Sequence, residues 1–311
     1  PPLGGAGGFT ASDAYVAWVS KDPELPNAWH TRTNVYIAPI AGGKEPVEIS
    51  SGEHGAISSP IFSADGAQLS WLQMARDGFE SDRRQIVLYD LPSKRGSPAG
   101  GKQRFVLKDW DRSPTKVEFS HDGKTLYVLA EEEEHEKLFA VDISKARDSD
   151  GDVEGKAKVV VDSIGVAQLQ ILPDGRSLVR ASTMRTVPEL YLVSEGKSSP
   201  PAPLTDFNSV LADIDFGAKP EQFSYAGAGG RPAYGWIHFP PGYDAKAAKG
   251  TYALKVLIHG GPEGCWSDTW STRWNPAVFV ADKEEDGSAA IVITLDPAGS
   301  TSFGQAYQEE M

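Results

Sequence analysis

Tyr252-Ala-Leu-Lys-Val-Leu-Ile-His-Gly-Gly-Pro-Glu-Gly264 is the stretch best suited to chemistry. A short apolar run rich in branched residues ends at His259 and opens into Gly260, Gly261 and Pro262. Successive glycines free the backbone to take positive φ and approach a ligand, and proline fixes where the chain leaves. Such a loop can aim peptide N–H groups at a developing negative charge. A second candidate is Arg76-Asp-Gly-Phe-Glu-Ser-Asp-Arg83, which gathers acids and bases around Gly78 and Phe79. One reading is a surface hairpin whose ion pairs contribute little. The other is a carboxylate, Glu80, held out to bind a cationic group.

Trp266, Trp270 and Trp274 recur at the spacing of one helical face. Core packing between two domains accounts for such a row; the alternative puts Trp266 at a substrate mouth. Cys265 is the only cysteine, so it forms no intrachain disulfide and is expected to be a small, partly buried hydrophobe. Asp148-Ser-Asp-Gly-Asp invites a calcium ion, but it lacks the EF-hand spacing and reads as a solvated loop. Glu131 to Glu134 is likewise read as acidic connecting chain.

The elements that position these residues begin with a repeat. Phe62 to Trp71, Phe119 to Val128 and Ile171 to Arg180 each read as strand, Asp-Gly turn, strand, a strong hairpin signal. Phe9 to Trp18 is a weaker copy in which Ala14 stands near the place of the turn glycine. The spacings between Phe9, Phe62, Phe119 and Ile171 are 53, 57 and 52 residues, near the period of propeller blades. A third strand follows each hairpin, at Asn34, Gln85, Lys137 and Glu189. Fourth strands are expected over 45–49, 104–107, 158–161 and around Leu204. About four blades are therefore visible, with more expected before Pro1.

Past Leu204 the pattern changes. Strands are expected over 221–225 and 234–239, then 252–259, a helical segment, and 290–296, forming a sheet covered on both faces. The organisation expected is a partial β-propeller over 1–205, followed by a linker and the N-terminal part of an α/β-hydrolase domain over 206–311.

Composition narrows the partners. The chain has 311 residues, 40% hydrophobic and 23% charged, with a net charge of −13, and it holds no Lys/Arg-rich run. That balance disfavours nucleic acid and anionic membrane surfaces. No apolar run reaches the ~18 residues of a membrane helix. The sequence lacks an initiator Met and stops in a stretch that reads as the start of a helix, so a fragment is expected.

Strand, His-Gly-Gly-Pro, helix, and a strand ending in Asp296-Pro-Ala-Gly-Ser-Thr-Ser-Phe-Gly304 is the order that precedes the nucleophile of an α/β-hydrolase. With the blade repeats, Trp270-Ser-Thr-Arg-Trp-Asn-Pro276 and the Arg76 to Arg83 loop, the chain resembles the prolyl oligopeptidase clan of serine peptidases. The likeness is greatest to fungal dipeptidyl-peptidase V and the acylaminoacyl-peptidase branch, and covers essentially the whole chain. It implies an exopeptidase that releases dipeptides or acyl-amino acids from short peptides by acyl transfer to serine, without cofactor or metal. Gly260 and Gly261 would supply oxyanion-hole backbone, and Glu80, with Arg76, would hold a free N-terminal amine. No Gly-x-Ser-x-Gly occurs in the chain, so the triad is expected beyond Met311 and this chain alone is expected to be inactive. His259 is assigned the orientation of its loop. Secretion is implied, with a cytoplasmic location as the alternative, and the oligomeric state is open. A non-catalytic propeller scaffold that binds peptides or proteins and an esterase of the same fold are the competing functions.

Overall fold

The computed structural model describes residues 8–22, 24–92, 97–148, 151–194, 202–282 and 287–310. Residues 93–96, which reach into the Gly-, Ser-, Pro- and Lys-rich stretch from Lys94 to Lys102 that reads from the sequence as an exposed loop, and Ser149 and Asp150, in the acidic stretch, lie outside the described residues.

Four antiparallel sheets follow one another along the first part of the chain. They are β1 (Phe9–Ala11), β2 (Tyr15–Lys21), β3 (Thr33–Pro39) and β4 (Val47–Glu48); β5 (Ile57–Phe62), β6 (Gln68–Met74), β7 (Arg84–Asp90) and β8 (Lys102–Val106); β9 (Pro114–Phe119), β10 (Thr125–Glu132), β11 (His135–Asp142) and β12 (Lys158–Val161); and β13 (Gly165–Ile171), β14 (Ser177–Thr183) and β15 (Thr186–Val193). Strand order within each sheet equals chain order. The fourth strand expected near Leu204 is reduced to a single bridge between Tyr191 and Pro203.

The Asp-Gly turns are looser than a two-residue hairpin. Gly66 N–H donates to Ser63 O, Gly123 N–H to Ser120 O and Gly175 N–H to Leu172 O, so each glycine closes its turn at positive φ (64°, 69° and 83°). The Ser63 and Ser120 hydroxyls donate to Asp65 and Asp122 at 2.7 Å, and each aspartate accepts a further backbone N–H. In the weak copy the turn is two residues shorter: Ser12 N–H donates to Tyr15 O, where Ser63 N–H reaches Gln68 O, and no positive φ is needed.

Alternation along the strands sends side chains to both faces. On β7, Ile86 and Leu88 join the core shared with the third sheet, while Val87 and Tyr89 join the core shared with the first. A third core unites Tyr127, Leu129 and Leu138 with Val166, Leu169 and Val179. Consecutive sheets thus pack face to face. Trp71, fully buried in the first of these interfaces, would cost about 3–5 kcal/mol to truncate to alanine.

A fifth sheet is mixed, in the order β16 (Glu221–Ala226), β17 (Pro232–His238), β19 (Ala290–Asp296), β18 (Ala253–Ile258), and only β18 and β19 run parallel. Contrary to the expectation of two covered faces, Leu254, Val256 and Ile258 are exposed on β18. The helix between β18 and β19 is short: α1 (Pro276–Ala281) starts on Asn275, whose side chain accepts from Ala277 N–H at 3.0 Å, with Pro276 at its first position. The helical face of Trp266, Trp270 and Trp274 does not form. Residues 262–275 are an irregular strap whose backbone bonds other parts of the chain instead of its own next turn. Trp270 N–H donates to Ser182 Oγ (3.0 Å), Asp268 N–H to Glu134 O (2.8 Å), and Met184 N–H to Asp268 Oδ1 (2.8 Å). α2 (Gln305–Gln308) follows β19, and Gln308 Nε2 donates to Ser81 O at 2.5 Å.

Candidate active site

The loops between second and third strands of the second, third and fourth sheets meet the strap, the loop after β19, and α2. The His-Gly-Gly-Pro loop leaves the end of β18 into this meeting place. Gly261 has φ 137°, and a Cβ there would stand 2.5 Å from Glu263 N, so the turn requires glycine. Gly260 faces open space, and both residues are exposed. Neither N–H donates to a described residue, which leaves both available to an acceptor in solution.

His259 carries out the orienting role expected of it. Its Nδ1 meets Gly260 O at 2.9 Å, and its Nε2 lies 3.0 Å from Ser300 Oγ and 3.3 Å from Asp296 Oδ1. The hydrogen bond to Asp296 raises its pKa. Asp296, fully buried at the end of β19, also accepts Trp266 N–H at 2.8 Å, so one carboxylate grips both ends of the 259–266 loop. Behind it, Tyr307 OH donates to Asp296 O (2.8 Å), and Phe303 stacks on Tyr234 with centroids 4.0 Å apart. His238, buried on β17, is pushed down to about 4 by that burial and is unsuited to act as a base at neutral pH.

Two cavities meet at Glu131. The larger, about 830 Å³, is lined by His259, Gly260, Trp266, Trp274, Glu131 and Glu136 among others. Trp266 therefore shares a cavity with Gly260. The smaller, about 250 Å³ and rich in polar groups, includes Glu80, Arg112, Glu131, Glu263 and Thr301. Glu80 is exposed and bonds no described residue. Arg76 lines neither cavity: its guanidinium holds Asp82 Oδ1 (2.9 and 2.7 Å) and Glu309, and lies 4.5 Å from the Phe79 ring centroid. It braces the loop on which Glu80 stands.

Three acids escape the sequence reading. Glu131 and Glu136 face each other across the β10–β11 pair, and Thr301 Oγ1 donates to Glu131 at 2.6 Å. Burial, then the Glu131 charge, pushes Glu136 up to about 7. A two-residue turn at Glu133-Glu134 would have revealed that pairing. Glu134 is fully buried, not a solvated connector. Cys265 is partly buried as expected, and burial raises its thiol pKa.

No family model matches the chain. A probable dipeptidyl-peptidase 5 of Aspergillus clavatus is 34% identical over 323 aligned residues, which take in 100% of this chain. Dipeptidyl-peptidase 5 of Trichophyton schoenleinii is 35% identical over 322. The chain is homologous to the fungal dipeptidyl-peptidases 5. It spans 41% of the length of these curated relatives. Among solved structures, the Pyrococcus horikoshii acylaminoacyl peptidase superposes with a TM-score of 0.66 at 16% identity, covering 96% of this chain and 41% of that one. A Mycobacterium tuberculosis puromycin-hydrolyzing peptidase gives 0.62 at 18% identity, covering 97% and 43%. At such identities the likeness carries the fold, and the dipeptidyl-peptidase 5 homology carries the kinship.

Proposed function

We propose that the protein carrying this chain is a serine-type exopeptidase that releases dipeptides or acyl-amino acids from short peptides. The observation that carries the reading is homology to dipeptidyl-peptidase 5 along the whole chain. In this reading residues 1–205 are about four blades of a β-propeller, and 206–311 are a linker and the N-terminal part of an α/β-hydrolase domain. The face-to-face packing of successive antiparallel sheets, three of them four-stranded, supports the first, and the β16-β17-β19-β18 order with a parallel β18–β19 pair supports the second.

The chain contains no Gly-x-Ser-x-Gly, so its contribution to chemistry is charge stabilisation and substrate placement. The free N–H groups of Gly260 and Gly261 donate to the oxygen of the scissile carbonyl as it becomes an oxyanion, while the serine attacks from elsewhere in the protein. Trp266 walls the acyl side of the cavity. Glu80 receives the free N-terminal amine, and Arg76 fixes its loop. Glu131 and Glu136 are the competing carboxylates, because they share a cavity with Gly260 and Glu80 does not. The absence of a membrane-crossing helix among the described residues is compatible with secretion, which detection in the culture medium tests.

The full-length protein is expected to react with a fluorophosphonate and to release dipeptides from free-amine peptides. Gly261→Ala keeps the peptide N–H, but its Cβ would stand 2.5 Å from Glu263 N and displace the turn, so kcat/KM is expected to fall about 10²- to 10³-fold, as when one oxyanion donor is lost. Unchanged kcat/KM in a folded Gly261→Ala protein would remove Gly261 from the role. Glu80→Gln and Glu131→Gln, compared on free-amine and N-acylated substrates, assign the amine: only the correct variant loses the free-amine substrate selectively.

A further inference from the structure

Five described non-glycine residues take positive φ, and three of them meet at one point: Glu133 (51°), Glu134 (63°) and Ser302 (81°). Side chains adopt such backbone only where surroundings enforce it, and such strain gathers at functional places. Here the tip of the β10–β11 turn enters the loop after β19. Glu133 N–H donates to Ser302 O at 3.1 Å, Glu134 N–H to Ser302 Oγ at 2.6 Å, and Glu134 O accepts from Asp268 N–H at 2.8 Å.

The turn drives the Glu134 side chain out of solvent and against Asp296. Gln222 Nε2 donates to Glu134 Oε2 at 2.8 Å. Glu134 Oε1 and Asp296 Oδ2 are both buried and accept from no donor, and the two carboxyls lie close enough to interact directly. Carboxylate oxygens only accept, so a proton must lie between them. Its owner follows from the remaining partners. Asp296 accepts a peptide N–H from Trp266 and faces His259, both of which favour its charge, whereas Glu134 has one neutral amide donor.

We propose that one proton shared between Glu134 and Asp296 holds the His259–Trp266 loop in its working geometry. Glu134 is then a positioning residue for the acyl-transfer step, and this inference rests on the function proposed above. With the proton in place, Asp296 Oδ2 is satisfied by Glu134 and Oδ1 stays on Trp266 N–H and His259. Removing the proton sets two buried negative charges in contact, and their separation pulls Asp296 away from the loop it anchors. Burial, then the hydrogen bond to Asp296, raises Glu134 to about 9.

The other ionisable groups around the pair are few. His259 faces Asp296 from the end of β18, and Tyr307 OH donates to the Asp296 carbonyl from α2. Tyr225 feels the Asp296 charge from β16. His135, next along the turn, lies against Trp236 with centroids 5.5 Å apart, and Asp268 on the strap accepts from Met184 N–H. No described Lys or Arg is paired with either carboxyl.

Glu134→Gln in the full-length protein tests this, because the amide supplies Asp296 with a permanent N–H donor. Glu134→Ala is expected to lower kcat/KM on the order of 10²-fold, as a displaced loop would. Glu134→Gln is expected to restore most of that loss and to abolish the alkaline fall in activity near pH 9. Two readouts need no activity. Infrared difference spectra against Glu134→Gln should show a protonated carboxyl in the wild type at pH 7. Stability against pH should also differ. The folded pKa lies above the unfolded value of about 4.3, so wild-type stability declines as pH rises from there toward 9, and Glu134→Gln lacks this decline. An unchanged alkaline limb in Glu134→Gln, or no protonated carboxyl in the wild type, overturns the proposal. A carboxyl band and a stability slope in a protein that hydrolyses no peptide would keep the proton and discard the acyl-transfer reading.

Discussion

The β6–β7 loop and the β10–β11 turn occupy equivalent places in successive sheets, and both are rich in carboxylates. The first is long and exposed, and it answers its one buried acid internally: Asp82 takes Ala75 N–H, Arg76 N–H and the Arg76 guanidinium, while exposed Asp77 accepts from Thr31 N–H and Arg32 N–H and pairs with His30. The partners of Asp82 are seven residues or fewer away, so the loop carries the counter-ion of its buried acid wherever it is placed. The second is a two-residue turn with no base of its own, and Glu134 finds Gln222 and Asp296 only in the fifth sheet. Loop length decides the outcome. A long loop can fold a cation back onto its acid, and a tight one must hand its acid to another element.

The largest effect that can break this contrast is on Asp82. Asp82→Ala leaves two backbone N–H groups and a guanidinium without their acceptor, and is expected to cost about 2–3 kcal/mol in urea denaturation. A cost near zero would show that the β6–β7 loop does not depend on its internal pair. Next comes Glu136→Gln. Glu136 titrates at about 7 in the folded protein, above the unfolded value near 4.3, so wild-type stability falls as pH rises between these values and is level above them. The glutamine variant is expected to lack that fall in thermal melts from pH 4 to 8, and an identical slope would mean Glu136 is not held protonated by its surroundings. The smallest effect is on Glu80, which bonds nothing described: Glu80→Ala is expected to change stability by no more than about 0.5 kcal/mol. A larger loss would make Glu80 part of the brace and weaken its assignment to a ligand.

What was legible in the sequence follows the reach of the interactions involved. Asp-Gly turns and alternating strands are local, and they marked nearly every strand of the first four sheets. His259-Gly260-Gly261-Pro262 was legible because a tight loop after a strand needs those residue types itself, as the Gly261 backbone shows. The tryptophan spacing misled because Ser182 and Glu134 capture backbone groups of the strap that a helix would have used. Glu134 could not be found from its neighbours at all. Its burial depends on Ser302, 168 residues further on, and an acid run looks solvated until the element that covers it is in place.

β18 has a consequence for handling the polypeptide. It is an edge strand whose outer row, Leu254, Val256 and Ile258, is apolar and 63%, 46% and 71% exposed. Edge strands are ordinarily guarded by a charge facing outward. The one charge on this strand, Lys255, is turned to the opposite face, where its ammonium bonds Phe279 O, Asp282 O and Asp282 Oδ2 at 3.3, 3.1 and 3.3 Å. The edge is therefore unguarded against strand-to-strand aggregation, and a polypeptide of these 311 residues in isolation will lose solubility as its concentration rises.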